Sequence, residues 1–291
     1  MVGLLGLMVV SHAWMAPGTV ADFASTESQF RAQREASLIA PTGWLQLDGL
    51  AWLPMGETRL AVSNAGRWST VSDPNGRVDA IFTREKNAVL VSFPRGSEAK
   101  LNGAKVNGAQ LITDADGWPD TITIQSCTMV AIKRGSRIGL RIWNSKGAAI
   151  QKHQKLNWFS ADKNWNIKAK FVRYAKPKTL QIVNVLGDVN PVENPGYVVF
   201  QVGGKACRLE AESAGDGLFF NFKDQTSGKT TYGAGRFLSV DGPKNGFVWL
   251  NFNRAVNPPC AYTDFATCPL PPKANSLPIA VLAGEKMYRP H

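Results

Sequence analysis

The sequence predicts a mainly β protein with two antiparallel β-sandwich or barrel-like modules and a short N-terminal helix. Short runs of β-branched and aromatic residues recur from Gly43 onward, and turn-forming pairs such as Asn102-Gly103 separate them. The helical spacing of apolar residues largely disappears after Pro41. The chain has 291 residues, of which 44% are hydrophobic, so it can bury a core in one or two domains.

Residues 1–21 are predicted to form a cleaved signal peptide. Met1 to Val10 is an apolar run too short to span a bilayer, and Thr19 and Ala21 are small residues at the spacing that signal peptidase requires. A basic n-region is missing, so a buried N-terminal strand or an uncleaved anchor is the alternative. Export predicts a periplasmic or secreted protein, with no transmembrane span in the mature chain.

The next segment, residues 22–41, is predicted to be a helix and a linker. Thr26 and Gln29 have the spacing of a capping box, which predicts a helix from Thr26 to Ile39. Pro41 is expected to stop it, because proline disfavours a helical conformation in the residue before it.

Two β modules are predicted after the linker, the first over residues 42–145 and the second over residues 156–291. The strands of the first are expected at 43–53, 87–93, 121–124, 128–132 and 138–143. Those of the second are expected at 167–174, 180–185, 196–202, 206–211, 218–222, 236–240 and 247–252. The residues between the modules are polar and contain glycine, which is typical of a domain boundary.

The positive charge is concentrated in residues 133–178, which hold 13 Lys or Arg and one acidic residue, Asp162. The rest of the chain holds 20 basic and 21 acidic residues, so this segment carries the whole excess of the net charge of +11. One interpretation is an anionic partner, such as an envelope surface, whereas nucleic acid is disfavoured by export. The other is that alternating strands place lysines in water and aromatic residues in the core.

Four cysteines are present, and Cys260 and Cys268 lie close together in a proline-rich loop. In an oxidising compartment we expect a disulfide between them, worth roughly 2–3 kcal/mol, although four cysteines allow three pairings. Cys127 and Cys207 lie within apolar strand patterns and are expected to be buried thiols.

The sequence offers few groups for familiar catalysis. The chain contains no GxSxG, HExxH or P-loop motif, and histidine occurs only at positions 12, 153 and 291. We therefore expect no metal site and no cofactor, and an enzyme of this sequence would use Asp, Glu, Tyr or Lys for acid–base chemistry.

Polar residues gather at the ends of two predicted strands in the second module, within FKDQTSGKTTYGAGRFL and FNRAVNPPC. Such groups at neighbouring strand ends predict a pocket for a polar or anionic ligand. The candidate ligand-binding residues are Asp224, Thr231, Tyr232, Arg236, Asn253, Arg254 and Asn257. The alternative is structural: Asp224 and Thr226 cap the turn, and the two arginines tie down the proline-rich loop.

Several segments resemble a bacterial family called domain of unknown function 1684. They are GWLQLDGLAWL, NVLG at 184–187, the two polar segments above, the loop that carries both cysteines, and LPIAVLAGEK, and together they cover nearly all of the mature chain. The family's signature maps onto Asp224, Thr226, Gly228, Thr231, Tyr232, Gly233, Gly235, Arg236, Asn253, Arg254, Asn257, Pro258, Pro259, Cys260 and Cys268. This chain departs from the pattern at Asp264 and at Lys273-Ala274.

The resemblance implies kinship without an activity. Relatives that look cytosolic keep both cysteines, which implies a thiol role with Cys260 as the candidate nucleophile. The first module also faintly resembles a forkhead-associated sandwich in LPMGETRL and LNGAKVNGAQL, but it lacks the residues that bind phosphothreonine in that fold.

Three functions remain in view. The preferred one is a binding module for a small polar or anionic ligand. The second is an enzyme of unassigned class that uses Cys260 or the pair Asp224 and Tyr232. The third is a structural envelope protein that contacts anionic surfaces through residues 133–178.

Overall fold

The structure is a computed structural model that describes residues 20–288, so most of the predicted signal peptide and His291 lie outside the described residues. The chain divides into two compact units. The first contains Ser37–His153, and the second combines Gln154–His291 with Thr19–Ala36. The prediction of a mainly antiparallel β protein with a short N-terminal helix is confirmed.

Helix α1 spans Val20–Ile39, six residues more than the capping box predicted at its start. Thr26 lies inside the helix, where its hydroxyl donates to the carbonyl of Asp22 over 2.8 Å. The prediction of Thr26 as the N-cap was therefore wrong, because a hydroxyl inside a helix can be satisfied by the preceding turn. The predicted end is confirmed, since the helix ends two residues before Pro41.

The first unit contains two five-stranded antiparallel sheets and the short helix α2, Ala148–Gln151. Its strands are β1 Leu47–Trp52, β2 Gly56–Val62, β3 Trp68–Thr70, β4 Ala80–Arg84, β5 Val89–Ser92, β6 Lys100–Leu101, β7 Gly108–Gln110, β8 Thr121–Ile124, β9 Cys127–Arg134 and β10 Arg137–Asn144. The strand orders are β1-β10-β9-β8-β6 and β3-β2-β4-β5-β7. Both sheets contribute to one apolar core, with Leu60 and Phe82 from one and Met129 and Leu140 from the other.

One predicted turn shows how the local sequence sets the geometry of the first unit. Asn102 and Gly103 both adopt positive φ angles, +50° and +83°, and they connect Leu101 to Ala104, which bridge each other. Asparagine and glycine are the residues that tolerate this conformation best, so the pair forms a tight turn.

The second unit contains a four-stranded and a three-stranded antiparallel sheet, in the orders β13-β12-β11-β17 and β14-β15-β16. Its strands are β11 Asn166–Val183, β12 Val189–Val202, β13 Lys205–Glu210, β14 Glu212–Ala214, β15 Gly217–Phe222, β16 Arg236–Asp241 and β17 Phe247–Asn251. Side chains of both sheets, among them Val198 and Phe220, join one core with Phe252.

Strand β11 is a single long strand where two were predicted. Its pairing with β12 shifts register between Arg173 and Lys178, and Pro177 lies within the shift. Proline cannot donate a backbone hydrogen bond, so the ladder is interrupted while the strand continues.

The chain after β17 is irregular apart from short 3-10 turns at Phe252–Arg254, Pro259–Ala261 and Lys273–Asn275. Side chains hold it on the sheets. The amide of Asn275 donates to the carbonyls of Glu210 and Asn221, each over 3.0 Å, and accepts from the backbone of Glu210 over 2.7 Å. These bonds fix the strand ends and the loops on which the candidate site residues lie.

Candidate functional site

The most deeply buried part of the predicted pocket is the pair Asp224 and Arg236. Their ion pair measures 2.9 Å from Nη2 to Oδ2, and neither side chain is more than 1% exposed. Arg236 also donates to the carbonyls of Val281, over 3.0 Å, and Ala283. A guanidinium enclosed in this way has its charge balanced within the protein.

Two threonines complete the surroundings of Asp224. The backbone N–H and hydroxyl of Thr226 both donate to Oδ1 of Asp224, over 2.8 Å and 2.6 Å. The hydroxyls of Thr226 and Thr231 lie 2.8 Å apart, and Thr231 is completely buried. Asp224 and Thr226 therefore cap the turn after β15, as the structural alternative predicted.

Asn253 and Asn257 are also completely buried, and each joins two separate parts of the chain. The amide of Asn253 donates to the carbonyl of Asp162 over 2.8 Å and accepts from the N–H of Asp162 over 3.0 Å. The amide of Asn257 donates to the carbonyl of Lys286 over 2.8 Å, while its backbone N–H donates to Glu285 over 2.9 Å.

Arg254 binds a carboxylate, and that carboxylate belongs to helix α1. Nε and Nη2 of Arg254 each lie 3.1 Å from Oε1 of Glu27, and the amide of Asn251 donates to the same oxygen over 2.9 Å. Glu27 is 1% exposed. A guanidinium and an amide around one carboxylate are a typical arrangement for anion recognition.

A second ion pair, between Arg34 of α1 and Glu285, also holds the helix. Nε of Arg34 lies 3.7 Å from Oε2 of Glu285, and Nη2 donates to the carbonyl of Asn257 over 2.9 Å. The hydroxyl of Tyr262 donates to Glu285 and lies 3.4 Å from Nη2 of Arg34. Burial raises the pKa of Glu285 and the pKa of Tyr262.

These contacts define a surface of the second unit on which α1 lies, named here the helix seat. It consists of Asn251, Arg254, Asn257, Tyr262 and Glu285. Beside the seat, Arg31 donates to the carbonyl of Phe159 over 2.9 Å, and its guanidinium lies 5.0 Å from the ring centre of Trp158.

The two cysteines of the proline-rich loop lie next to each other as thiols. The backbone N–H of Cys260 donates to Sγ of Cys268 over 3.1 Å, and the hydroxyl of Tyr232 donates to the carbonyl of Cys260 over 3.2 Å. Cys260 is partly exposed, whereas Cys268 is 4% exposed. The predicted disulfide is not formed in this structure and stays a prediction.

The electrostatics of the two thiols differ from those of the other cysteines. A hydrogen bond with Cys268, and a weaker contribution from Tyr232, lower the pKa of the Cys260 thiol from 9.0 to about 7. Burial raises the pKa of Cys127 to about 11 and also raises the pKa of Cys207. Cys260 is therefore the described cysteine best suited to react as a thiolate near neutral pH.

The turn cluster, the helix seat and the thiol pair all lie in a part of the chain that matches a known protein family. Residues 151–286 match the family described as "Protein of unknown function (DUF1684)". This part of the chain is the DUF1684 region. The matched region contains the whole helix seat and both loop cysteines, but not α1 or GWLQLDGLAWL, so it is shorter than the sequence resemblance implied.

A solved structure resembles the chain in sequence. It is the solution NMR structure of an uncharacterized protein from Haloarcula marismortui, 28% identical, and the match covers 48% of this chain and 80% of that chain with a TM-score of 0.41. No curated protein matches.

The candidate site residues thus fall into three groups, with Asn253 apart from them. Asp224, Thr231 and Arg236 form the buried turn cluster, and Asn253 joins segments beneath the surface. Arg254 and Asn257 belong to the helix seat, whereas Tyr232 and Cys260 belong to the thiol pair. Asp224 and Tyr232 contact different residues, since Arg236 binds Asp224 while the hydroxyl of Tyr232 donates to the carbonyl of Cys260.

Four residues at this contact were not predicted from the sequence: Glu27, Asn251, Tyr262 and Glu285. Glu285 lies in the quoted segment LPIAVLAGEK, where a charged residue after an apolar run resembles an ordinary surface position. Only the tertiary structure shows that it is completely buried and faces a guanidinium from a helix about 250 residues earlier in the chain.

The basic segment is mostly a solvated face. In the first unit Arg134 pairs with Asp114 at 2.8 Å, and Arg137 stacks on Trp52. In the DUF1684 region the basic residues of β11 are all exposed: Lys168, Lys170, Arg173, Lys176 and Lys178. Among residues 20–288 no helix is long and apolar enough to cross a membrane, and no group of three or more His, Cys, Asp or Glu could hold a metal ion.

Proposed function

We propose that the second unit performs thiol–disulfide exchange, with Cys260 as the attacking thiol and Cys268 as the resolving thiol. The observation that carries the proposal is the contact between a partly exposed Cys260 and a buried Cys268 in one short loop. The polar pocket supports a ligand less well, because Asp224 and Arg236 already satisfy each other beneath the surface.

The exchange needs an external disulfide, R–S–S–R, as the oxidant. The Cys260 thiolate attacks one of its sulfurs, so the external S–S bond breaks, RS⁻ leaves, and a mixed disulfide forms on Cys260. Cys268 then loses its proton to water and attacks Sγ of Cys260, which expels the second RS⁻. The two protein thiols are oxidised to one disulfide, and the external disulfide is reduced to two thiols.

The different surroundings of Cys260 and Cys268 suit them to the attacking and the resolving role. Cys260 meets solvent and is the thiol whose pKa is lowered to about 7, so a large fraction is thiolate at neutral pH. Cys268 is buried, so an external disulfide reaches it poorly. Cys268 nevertheless lies next to Cys260 and can attack a mixed disulfide formed there. Prolines at 258, 259, 269, 271 and 272 restrict the loop and help to keep the pair together.

The test is incubation of the full chain with glutathione disulfide, followed by peptide mass spectrometry. The wild-type chain is expected to form the Cys260–Cys268 disulfide without accumulating a glutathione adduct. Cys268→Ala is expected to trap one glutathione on Cys260, and Cys260→Ala to leave Cys268 unmodified. Cys127 and Cys207 serve as internal controls, since both are buried.

Two results contradict the proposal. One is a persistent glutathione adduct on the wild-type chain, which would show that Cys268 does not resolve it. The other is equal modification of Cys260 and Cys268 in the two single variants, which would show that the loop does not assign separate roles.

A further inference from the structure

The helix seat presents one positive and one negative side chain to α1. Arg254 faces Glu27, and Glu285 faces Arg34. Glu27 and Arg34 are seven residues apart on the helix, which is two turns or about 10 Å along its axis. The helix therefore carries an acid and a base at the spacing that the seat complements.

We infer that the helix seat is a binding site for helical peptide segments that carry a carboxylate and a guanidinium two turns apart, and that α1 is its resident occupant. This site is separate from the thiol pair and does not depend on it. It modifies the pocket expected from the sequence, because Arg254 and Asn257 remain in it while Asp224 and Arg236 do not.

The boundary of the family region supports a site rather than ordinary core packing. All five seat residues lie within residues 151–286, whereas the helix lies more than a hundred residues before that region. The seat thus lies wholly within the DUF1684 region, whereas its occupant belongs to the same compact unit but lies outside that region in sequence.

The chemistry of the contact supports the same inference. Three of the residues that α1 turns toward the rest of the second unit are charged, namely Glu27, Arg31 and Arg34, and they bind through hydrogen bonds and ion pairs. Between them Phe30 packs edge-on against Trp158, so the apolar part of this contact is small. A helix that is part of a core usually presents an apolar stripe instead. Polar recognition of this kind favours specificity.

One seat atom has an unused binding capacity. Oδ1 of Asn257 is buried and has no hydrogen-bond partner among the described residues. A buried amide oxygen is usually satisfied, so this acceptor is available for a donor that α1 does not supply.

The paired charges also predict what the seat rejects. A ligand with a carboxylate alone would satisfy Arg254 but leave Glu285, which is completely buried, without a guanidinium. A buried charge that loses its partner is strongly unfavourable, so the seat selects amphoteric segments over simple anions.

The test uses the full chain with Glu27→Gln and Arg34→Gln, which weakens the resident helix. The probe is a fluorescein-labelled peptide with the sequence of residues 20–39, and binding is followed by fluorescence anisotropy. We expect the double variant to bind this peptide at least tenfold more tightly than the wild-type chain, whose seat is occupied. A peptide in which Gln replaces Glu27 should bind at least tenfold more weakly, and acetate should not displace the probe.

Variants of the seat separate recognition from damage to the fold. Adding Arg254→Gln to the double variant should abolish peptide binding, whereas Arg173→Gln, on the exposed face of β11, should leave it unchanged. Arg254→Glu should restore binding of a peptide with Glu27→Arg, a rescue that a misfolded protein could not give. Should the double variant fail to fold, Glu27→Gln alone takes its place.

Equal binding of the peptide to the wild-type chain and the double variant would overturn the inference. So would peptide binding that survives Arg254→Gln, or charge reversal without rescue. Displacement by acetate would show a simple anion site and would contradict the selectivity argued from Glu285.

Discussion

Arg236 and Asp224 form an ion pair of 2.9 Å that is sealed from solvent, although both residues were candidates for an open ligand pocket. We expect Arg236→Met or Asp224→Asn alone to lower the unfolding free energy by roughly 3–5 kcal/mol, because each leaves the other group buried without its partner. Urea denaturation measures this loss, with Arg173→Gln as the surface control.

The variant that carries both Arg236→Met and Asp224→Asn gives a second test of this ion pair. When both charges are removed together, the loss should be clearly smaller than the sum of the two single losses, because no charge is left without its partner. Additive losses would show that the two side chains contribute independently.

Cys260 should react with iodoacetamide at lower pH than the buried thiols Cys127 and Cys207 do. The hydrogen bond with Cys268 lowers the pKa of Cys260 to about 7, so its alkylation rate should be half-maximal near pH 7. Cys268→Ala or Tyr232→Phe should move the midpoint to higher pH, because each removes a contact that stabilises the thiolate. A midpoint unmoved by both substitutions would show that neither neighbour tunes the thiol.

Glu212 should make the protein less stable as the pH rises. Burial raises the pKa of Glu212 from 4.5 to about 7, and its Oε1 is buried with no hydrogen-bond partner among the described residues. Between these two pH values the folded state keeps a proton that the unfolded state has released, so the unfolding free energy falls with rising pH. The loss is complete above pH 7 and amounts to as much as about 3 kcal/mol.

The variant Glu212→Gln tests this directly. It should be more stable than the wild-type chain at pH 8 and show no such advantage below pH 4.5, as measured by urea denaturation at both values. Glu193→Gln is the matched control, because Glu193 is exposed and accepts a hydrogen bond from Ser213 over 2.8 Å. A gain that is the same at both pH values would point to packing rather than ionisation.

Gly284 and Gly187 offer a matched pair of glycines with nearly equal φ angles, +82° and +84°. A Cβ at Gly284 would lie 2.5 Å from the carbonyl oxygen of Ala255, whereas a Cβ at Gly187 would meet nothing within 4 Å. Both alanine variants carry the strain of positive φ, about 1 kcal/mol. Gly284→Ala should cost at least about 2 kcal/mol more, because backbone atoms must also move. Thermal or urea unfolding of the two variants gives the comparison, and equal losses would contradict it.

Local patterns in the sequence predicted those parts of the fold that local physics controls. The turn at Asn102-Gly103, strand β8 and the end of α1 before Pro41 depend on neighbouring residues alone, and they were predicted correctly. The start of α1 was placed wrongly because Thr26 satisfies its hydroxyl within the helix.

The candidate site depended on contacts that are distant in sequence. The residues at the strand ends were predicted to form polar clusters, but Arg236 donates to the carbonyls of Val281 and Ala283, which lie far along the chain, so no local pattern reveals these partners. The partnership of Arg254 with Glu27 spans more than two hundred residues, so a sequence pattern could suggest an anion but not identify it.

Because α1 occupies its seat, an incoming peptide competes with an occupant tethered to the same molecule. The apparent dissociation constant is then the intrinsic one divided by the fraction of molecules whose seat is vacant. When dissociation of the helix is slow, the observed association rate should level off at high peptide concentration, and the plateau reports how often the helix departs. Stopped-flow mixing of the wild-type chain with labelled peptide would measure the rate at which α1 leaves the seat.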